Sequence, residues 1–275
     1  MINLKLLFIL LICLAHCAEV FSQYTEAKSS SRPGQAYPTS TVGNRVFQFE
    51  TGFDFNEAKT SKYFFSRSFL NSTLLRFGLG RNYEVQLGLG MSNDYYSEAE
   101  NLNSTQSGIT LTSLGWKQHI LDADGLKPAL SYQFAVKLTL LDGNYGYDNF
   151  APQFILAGSG KLTDNIGYSI TSGTNWDAYS NIPVWNYAAA IGFGLIENLS
   201  GFVESYGNID FTTGSAKNIE FKFDGGFAYL LKDNLQLDLY GGYTKPDDTS
   251  IYFISAGLSW RTVTFHEKIK IIKAL

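Results

Sequence analysis

Residues 73–91 read TLLRFGLGRNYEVQLGLGM, and this stretch holds the pattern that predicts the fold. Apolar or threonine side chains occupy every second position over Thr73–Leu79 and again over Tyr83–Met91. The positions between them are mostly charged residues, glutamine or glycine, and Arg81-Asn82 separates the two halves. Because successive side chains of a strand point to opposite faces, the stretch predicts two antiparallel strands joined by a tight turn. Each strand has one apolar face and one polar face.

The same alternation recurs elsewhere, so the sequence predicts about twelve strands, each long enough to cross a bilayer at a tilt. The further segments are 47–55, 109–119, 129–140, 150–162, 166–171, 185–195, 199–207, 219–229, 235–243 and 252–261.

The connections between these segments fall into two length classes, as in outer-membrane barrels. The tight connections are Arg81-Asn82, Asp122–Leu126, Thr163–Asn165, Glu197-Asn198 and Lys232–Asn234. The longer polar connections are Asn56–Ser66, Ser92–Ser107, Leu141–Asn149, Asn175–Pro183, Asn208–Lys217 and Thr244–Thr249.

In hydrocarbon every backbone N–H and C=O group must be paired within the protein, so only helices or closed barrels can cross a bilayer. Aromatic residues are 15% of the chain, and they cluster toward strand ends as interfacial girdles do. The sequence therefore predicts an all-β fold: a transmembrane antiparallel up-and-down β-barrel of about twelve strands, with short periplasmic turns and longer extracellular loops. A soluble β-sandwich is the alternative, because its strands alternate in the same way.

The ends of the chain differ from this central part. Residues 1–22 combine one Lys, a short apolar run and a small-residue exit, which predicts a cleaved signal peptide. A lipoprotein acylated at Cys17 is the other interpretation. An irregular segment is expected at 23–43, the barrel at 44–261 and a tail at 262–275, which is either a short amphipathic helix at the membrane surface or disordered.

Composition excludes several classes of function. Both cysteines, Cys13 and Cys17, lie in the predicted signal peptide, so a disulfide framework and a cysteine metal site are excluded in the mature protein. The formal net charge is −4, which gives no basic surface for nucleic acid. Because catalytic and phosphate-binding motifs are absent, we expect no enzyme, no metal and no cofactor. An outer-membrane phospholipase is the enzyme alternative, with His119 or His266 as its histidine.

Charged residues on the polar strand faces are the candidate site. They pair across the lumen and hold it rigid, or they form a polar constriction that sets selectivity. The candidates are Glu50, Arg76, Glu84, Lys117, Lys137, Lys161, Glu204, Glu220, Lys222, Asp224, Asp238 and Arg261. We also expect a narrow path gated by Arg32–Pro38 folding inward.

Short motifs, in order along the chain, resemble the outer-membrane family named for the MetA pathway of phenol degradation, in a form like that of Bacteroidetes. Two features depart from the family pattern: Ser31 precedes Arg32-Pro33 where Asp is common, and the chain continues past Arg261. The motifs are SRPGQ at 31–35, FQFETG at 47–52, LLRFGL at 74–79, YEVQL at 83–87, LGWK at 114–117, FVE at 202–204 and SAGLSWR at 255–261.

The resemblance implies a transporter-like barrel of the twelve-strand type, linked by its family name to aromatic compounds. We therefore expect a passive outer-membrane channel for uptake or efflux of small molecules, with hydrophobic or aromatic molecules as candidates. The expected partners are outer-membrane lipid, the barrel-assembly machinery and an unidentified small solute. The alternative is a structural or surface-interaction barrel without transport.

Overall fold

Twelve antiparallel strands form one closed barrel in the computed structural model, with β1 paired to β12. The strands are β1 Phe47–Thr60, β2 Phe64–Gly78, β3 Tyr83–Glu98, β4 Leu102–Leu121, β5 Ala129–Lys137, β6 Ala151–Lys161, β7 Ile166–Trp176, β8 Pro183–Ile196, β9 Leu199–Ile209, β10 Lys222–Lys232, β11 Leu235–Thr244 and β12 Thr249–Arg261. The structure describes residues 29–60, 64–98, 102–125, 127–139, 145–146, 148–209, 220–245 and 249–262. The predicted signal peptide and the tail beyond Thr262 lie outside this set.

Burial in the barrel is the reverse of that in a soluble domain. Large apolar side chains such as Phe53, Leu156 and Ile254 are exposed on the outer face. Most buried side chains are polar or charged and point into the lumen, as Arg76 and Glu84 do. This arrangement suits lipid outside and an enclosed interior, so the predicted membrane barrel is confirmed and the soluble sandwich is wrong. Within the described residues, no helix is both long and apolar enough to cross a membrane.

Two predicted loops are wrong, because β1–β4 continue well past the alternating segments. Most of Asn56–Ser66 and Ser92–Ser107 forms two hydrogen-bonded hairpins at the long-loop end. Most residues there are polar, and no regular alternation of polar with apolar residues remains, as expected where both faces meet water. The ladder therefore continues without the period-2 signal, and Glu57 pairs with Arg67 across it at 2.9 Å. We call this end extracellular and the short-turn end periplasmic.

Smaller differences concern where the predicted strands begin and end. Strand β10 starts at Lys222 and not at Ile219, and β5 ends at Lys137 and not at Leu140. Strand β4 contains a bulge where it pairs with Gly90 and Met91, which shifts its side-chain alternation by one residue.

A charge placed on the outer face of β6 tests the membrane assignment. Leu156 is exposed at the middle of this strand, and Leu162 follows its periplasmic end on the same face. Because the cost of a lipid-facing charge depends on depth, Leu156→Arg should lower the free energy of unfolding by ~2–4 kcal/mol and Leu162→Arg by ~0–1 kcal/mol. Urea unfolding in lipid vesicles measures both, and equal costs would contradict the assignment.

Candidate functional site

Residues 29–46, which we call the inner segment, lie inside the lumen and follow its wall. The segment begins beside β12 and β1, where Ser30 Oγ is 2.7 Å from Ser259 Oγ. It then passes β11, β9 and β7, and Thr39 Oγ1 reaches Ser159 Oγ on β6 at 2.7 Å. It returns to β3 and leads into β1. The Ser/Pro/Gly composition predicted an irregular segment. This composition fits the observed path, because the segment forms hydrogen bonds with side chains of the wall and is not itself a strand.

The first anchor of the inner segment is an ion-pair network near the periplasmic end. Arg76 on β2 is fully buried and contacts Glu50 Oε1 through Nη1 at 2.9 Å. Its Nε donates to Glu84 Oε1 at 2.8 Å, and its Nη2 donates to Glu84 Oε2 at 3.0 Å. One guanidinium therefore joins two carboxylates from β1 and β3. Fully paired charges of this kind tolerate burial, whereas a single member does not.

The same charged groups also hold the inner segment. Arg76 donates to the backbone carbonyls of Ser29 at 3.2 Å and Ser40 at 3.3 Å. The Lys117 ammonium donates to the carbonyl of Ser40 at 2.9 Å and to that of Pro38. In the other direction, Glu84 Oε2 accepts the Val42 N–H at 2.8 Å. These charged groups therefore pair between the neighbouring strands β1, β2 and β3 and also bind the inner segment. A constriction that sets selectivity stays a prediction.

The second anchor is a pair of carboxylates on β9 and β10. Glu204 accepts the backbone N–H groups of Gln35 at 2.5 Å and Ala36 at 2.7 Å. Asp224 is its direct cross-strand partner and is buried. Within the part of the chain that is described, neither carboxylate oxygen of Asp224 has a hydrogen-bond partner. On this side of the lumen, Glu204 therefore binds backbone N–H groups of the segment. Among the described residues, no ion pair with a cation takes part in this anchor.

The third anchor is Arg32, which is not among the predicted site residues. Its Nη2 donates to Asp238 Oδ1 on β11 at 3.1 Å. His119 was also missed as an anchor, and its buried ring contacts the Thr39 carbonyl at 3.0 Å and Asp122 at 2.9 Å. Arg32 precedes a proline in a segment without periodicity, so no sequence pattern predicts the position of its side chain.

The remaining candidate residues lie apart from these anchors. Glu220 and Lys222 pair with each other at 2.9 Å near the extracellular end of β10. Lys161 is exposed at the periplasmic end of β6, and Arg261 is buried at the periplasmic end of β12. Lys137 lies at the extracellular end of β5. The structure thus brings together Glu50, Arg76, Glu84 and Lys117, and separately Glu204 with Asp224.

A cavity of about 290 Å³ lies between the inner segment and the wall formed by β1–β6. Tyr37 lines it from the segment, and Leu74 and Leu111 add apolar surface from the wall. Gln86 and Lys137 add polar groups. The cavity can therefore accept a small molecule that has both an apolar and a polar part.

Comparison with known proteins agrees with this architecture. The model of a family described as "Putative MetA-pathway of phenol degradation" matches residues 30–262. A comparison with curated proteins finds no match.

Solved structures with the same fold include an outer membrane channel from Pseudomonas putida F1. It is 10% identical, the alignment covers 84% of this chain and 99% of that chain, and the TM-score is 0.62. The translocator domain of autotransporter NalP from Neisseria meningitidis is 11% identical, with coverage of 79% and 89% and a TM-score of 0.55. At these identities the likeness shows the fold alone.

Proposed function

The chain belongs to the family described as "Putative MetA-pathway of phenol degradation", and from this premise we propose that it is a passive outer-membrane channel for small molecules and not an enzyme. The observation that carries the proposal is the polar lumen, in which the inner segment is bound to the wall by hydrogen bonds and ion pairs. A polar interior of this kind is what a path for small polar or amphipathic solutes requires.

The solute is proposed to be small and to combine polar and apolar groups. The cavity beside Tyr37 has about the volume of one small molecule, and it mixes leucine with glutamine and lysine side chains. The outer-membrane channel from Pseudomonas putida F1 shares the fold, which supports a channel but names no solute. Aromatic and hydrophobic molecules stay candidates through the family description. Outer-membrane lipid and the barrel-assembly machinery are the proposed partners.

Liposome swelling and planar-bilayer recording with the purified protein test the proposal. A channel releases small solutes and gives discrete conductance steps. The second candidate, a structural or surface-interaction barrel that acts through its extracellular hairpins, gives neither. Failure of both assays, in the wild type and after removal of the segment over Arg32–Pro38, would refute transport.

Ion selectivity gives a sharper test of the path. Lys137 lines the cavity, whereas Lys161 is exposed on the neighbouring strand at the opposite end. Because a fixed charge beside a narrow path attracts counter-ions, Lys137→Glu should shift the reversal potential in a KCl gradient toward cation preference. The matched change Lys161→Glu should shift it less. Equal shifts would show that the conducting path does not pass the cavity.

A further inference from the structure

Arg32 occupies a socket on the wall formed by β1, β11 and β12. Its Nη2 donates to Asp238 Oδ1 at 3.1 Å and to Ser255 Oγ at 2.6 Å. Its Cζ lies 5.4 Å from the centroid of the Tyr240 ring, within the range of a cation–π contact. The Asp238 side chain is fully buried and that of Arg32 is 10% exposed, so these contacts are largely shielded from water.

Two glycines leave room in this socket for a planar cation. Gly52 and Gly257 are direct partners across β1 and β12. A Cβ atom added to Gly52 would lie 2.1 Å from Arg32 Cζ, and one added to Gly257 would lie 2.4 Å from Arg32 Nε. Such distances are far inside van der Waals contact, so any larger residue at either position would displace the guanidinium. The wall is therefore built around a planar group.

Two carboxylates act on Arg32 in this socket. Asp54 follows Gly52 on the same lumen face of β1 and acts electrostatically on Arg32, as Asp238 does. Among the described residues, the buried Oδ1 of Asp54 has no hydrogen-bond partner. Without Arg32, the carboxylates of Asp54 and Asp238 would lose the cation on which both act beside the Tyr240 ring, and this arrangement favours uptake of another cation.

We propose that this socket is a binding site for guanidinium-type cations and that Arg32 occupies it as an internal ligand. A solute with a guanidinium or amidinium group binds Asp238, Ser255 and Tyr240 in place of Arg32. Such a solute therefore competes with the inner segment for the wall. The inference rests on the proposed function for its place on a solute path, but the binding itself does not require conduction.

Calorimetry with ethylguanidinium chloride tests the site on the full-length protein in detergent. Arg32→Ala empties the socket and should bind ethylguanidinium at least ~10-fold more tightly than the wild type, where tethered Arg32 competes at a high effective concentration. Ethylammonium should bind more weakly than ethylguanidinium, because it lacks the planar fork of donors. Equal binding to the wild type and to Arg32→Ala would overturn the proposal.

A glycine pair supplies the matched control in the Arg32→Ala background. Gly257→Ala places a methyl group in the socket where the guanidinium lies, and it should abolish binding. Gly192→Ala, on the lumen face of β8, has room for its Cβ, whose nearest neighbour would be 3.8 Å away, and it should leave binding unchanged. Heat-modifiable gel migration confirms that each variant is folded. Retained binding in Gly257→Ala would refute the site, and because calorimetry needs no conductance, this failure is distinct from failure of the channel.

Discussion

Deletion of Arg32–Pro38 should raise the single-channel conductance in planar bilayers several-fold. These residues carry the inner segment along the lumen wall, from Asp238 on β11 to Glu204 on β9 and Thr171 on β7. Without them, that side of the lumen no longer holds the segment, and the space open to ions becomes wider. The network around Arg76 stays in place, so the barrel itself should remain folded. An unchanged conductance would mean that the segment does not limit the path.

A pair of introduced cysteines tests whether the inner segment moves away from the wall when the channel conducts. Thr39 Oγ1 and Ser159 Oγ are 2.7 Å apart, so cysteines at these positions can meet and form a disulfide with small shifts. The two natural cysteines lie within residues 1–22, the predicted signal peptide, and replacing both with serine leaves no other thiol in the chain. The oxidised variant should have the lowest conductance and reduction should restore it, while the wild type is unaffected by either reagent. Equal conductance before and after reduction would exclude movement of this part of the segment.

The barrel could be predicted because its main signal is local. Lipid on one side and a lumen on the other impose a period of two, and Thr73–Met91 displays that period on both sides of a tight turn. Ten of the twelve strands were predicted from this period, and the segments 109–119 and 199–207 were predicted as strands without an assigned register. Beyond the bilayer both faces of a strand meet water, so the period of two disappears. The hairpins joining β1 to β2 and β3 to β4 carry no alternation and were therefore predicted as loops.

The site was predicted only in part, because its contacts join residues that are distant in the chain. Alternation assigned Glu50, Arg76 and Glu84 to the lumen, yet it could not show that one guanidinium joins both carboxylates. The socket for Arg32 was missed altogether. Its glycines look like ordinary strand glycines in the sequence, and only the barrel register brings Gly52 opposite Gly257.

Replacing Arg76 should produce the largest loss of stability. Arg76→Met keeps most of the side-chain volume but leaves Glu50 and Glu84 buried beside each other without the guanidinium that joins them. Breaking a buried ion pair from one side costs about 3–5 kcal/mol, because the remaining charge is uncompensated. Urea unfolding in vesicles measures the loss. The contacts with Ser29 and Ser40 are lost as well, so conductance should also rise.

Two matched variants separate the buried charge from the loss of one side chain. Arg67 pairs with Glu57 between the same strands and also at 2.9 Å, but its side chain is 51% exposed. Arg67→Met should therefore leave the unfolding transition almost unchanged, since water screens and replaces an exposed pair. The quadruple variant Arg76→Met, Lys117→Met, Glu50→Gln, Glu84→Gln removes all four buried charges together and should recover most of the stability lost in Arg76→Met. If the quadruple variant is as unstable as the single one, packing around Arg76 and not its charge holds this end of the barrel together.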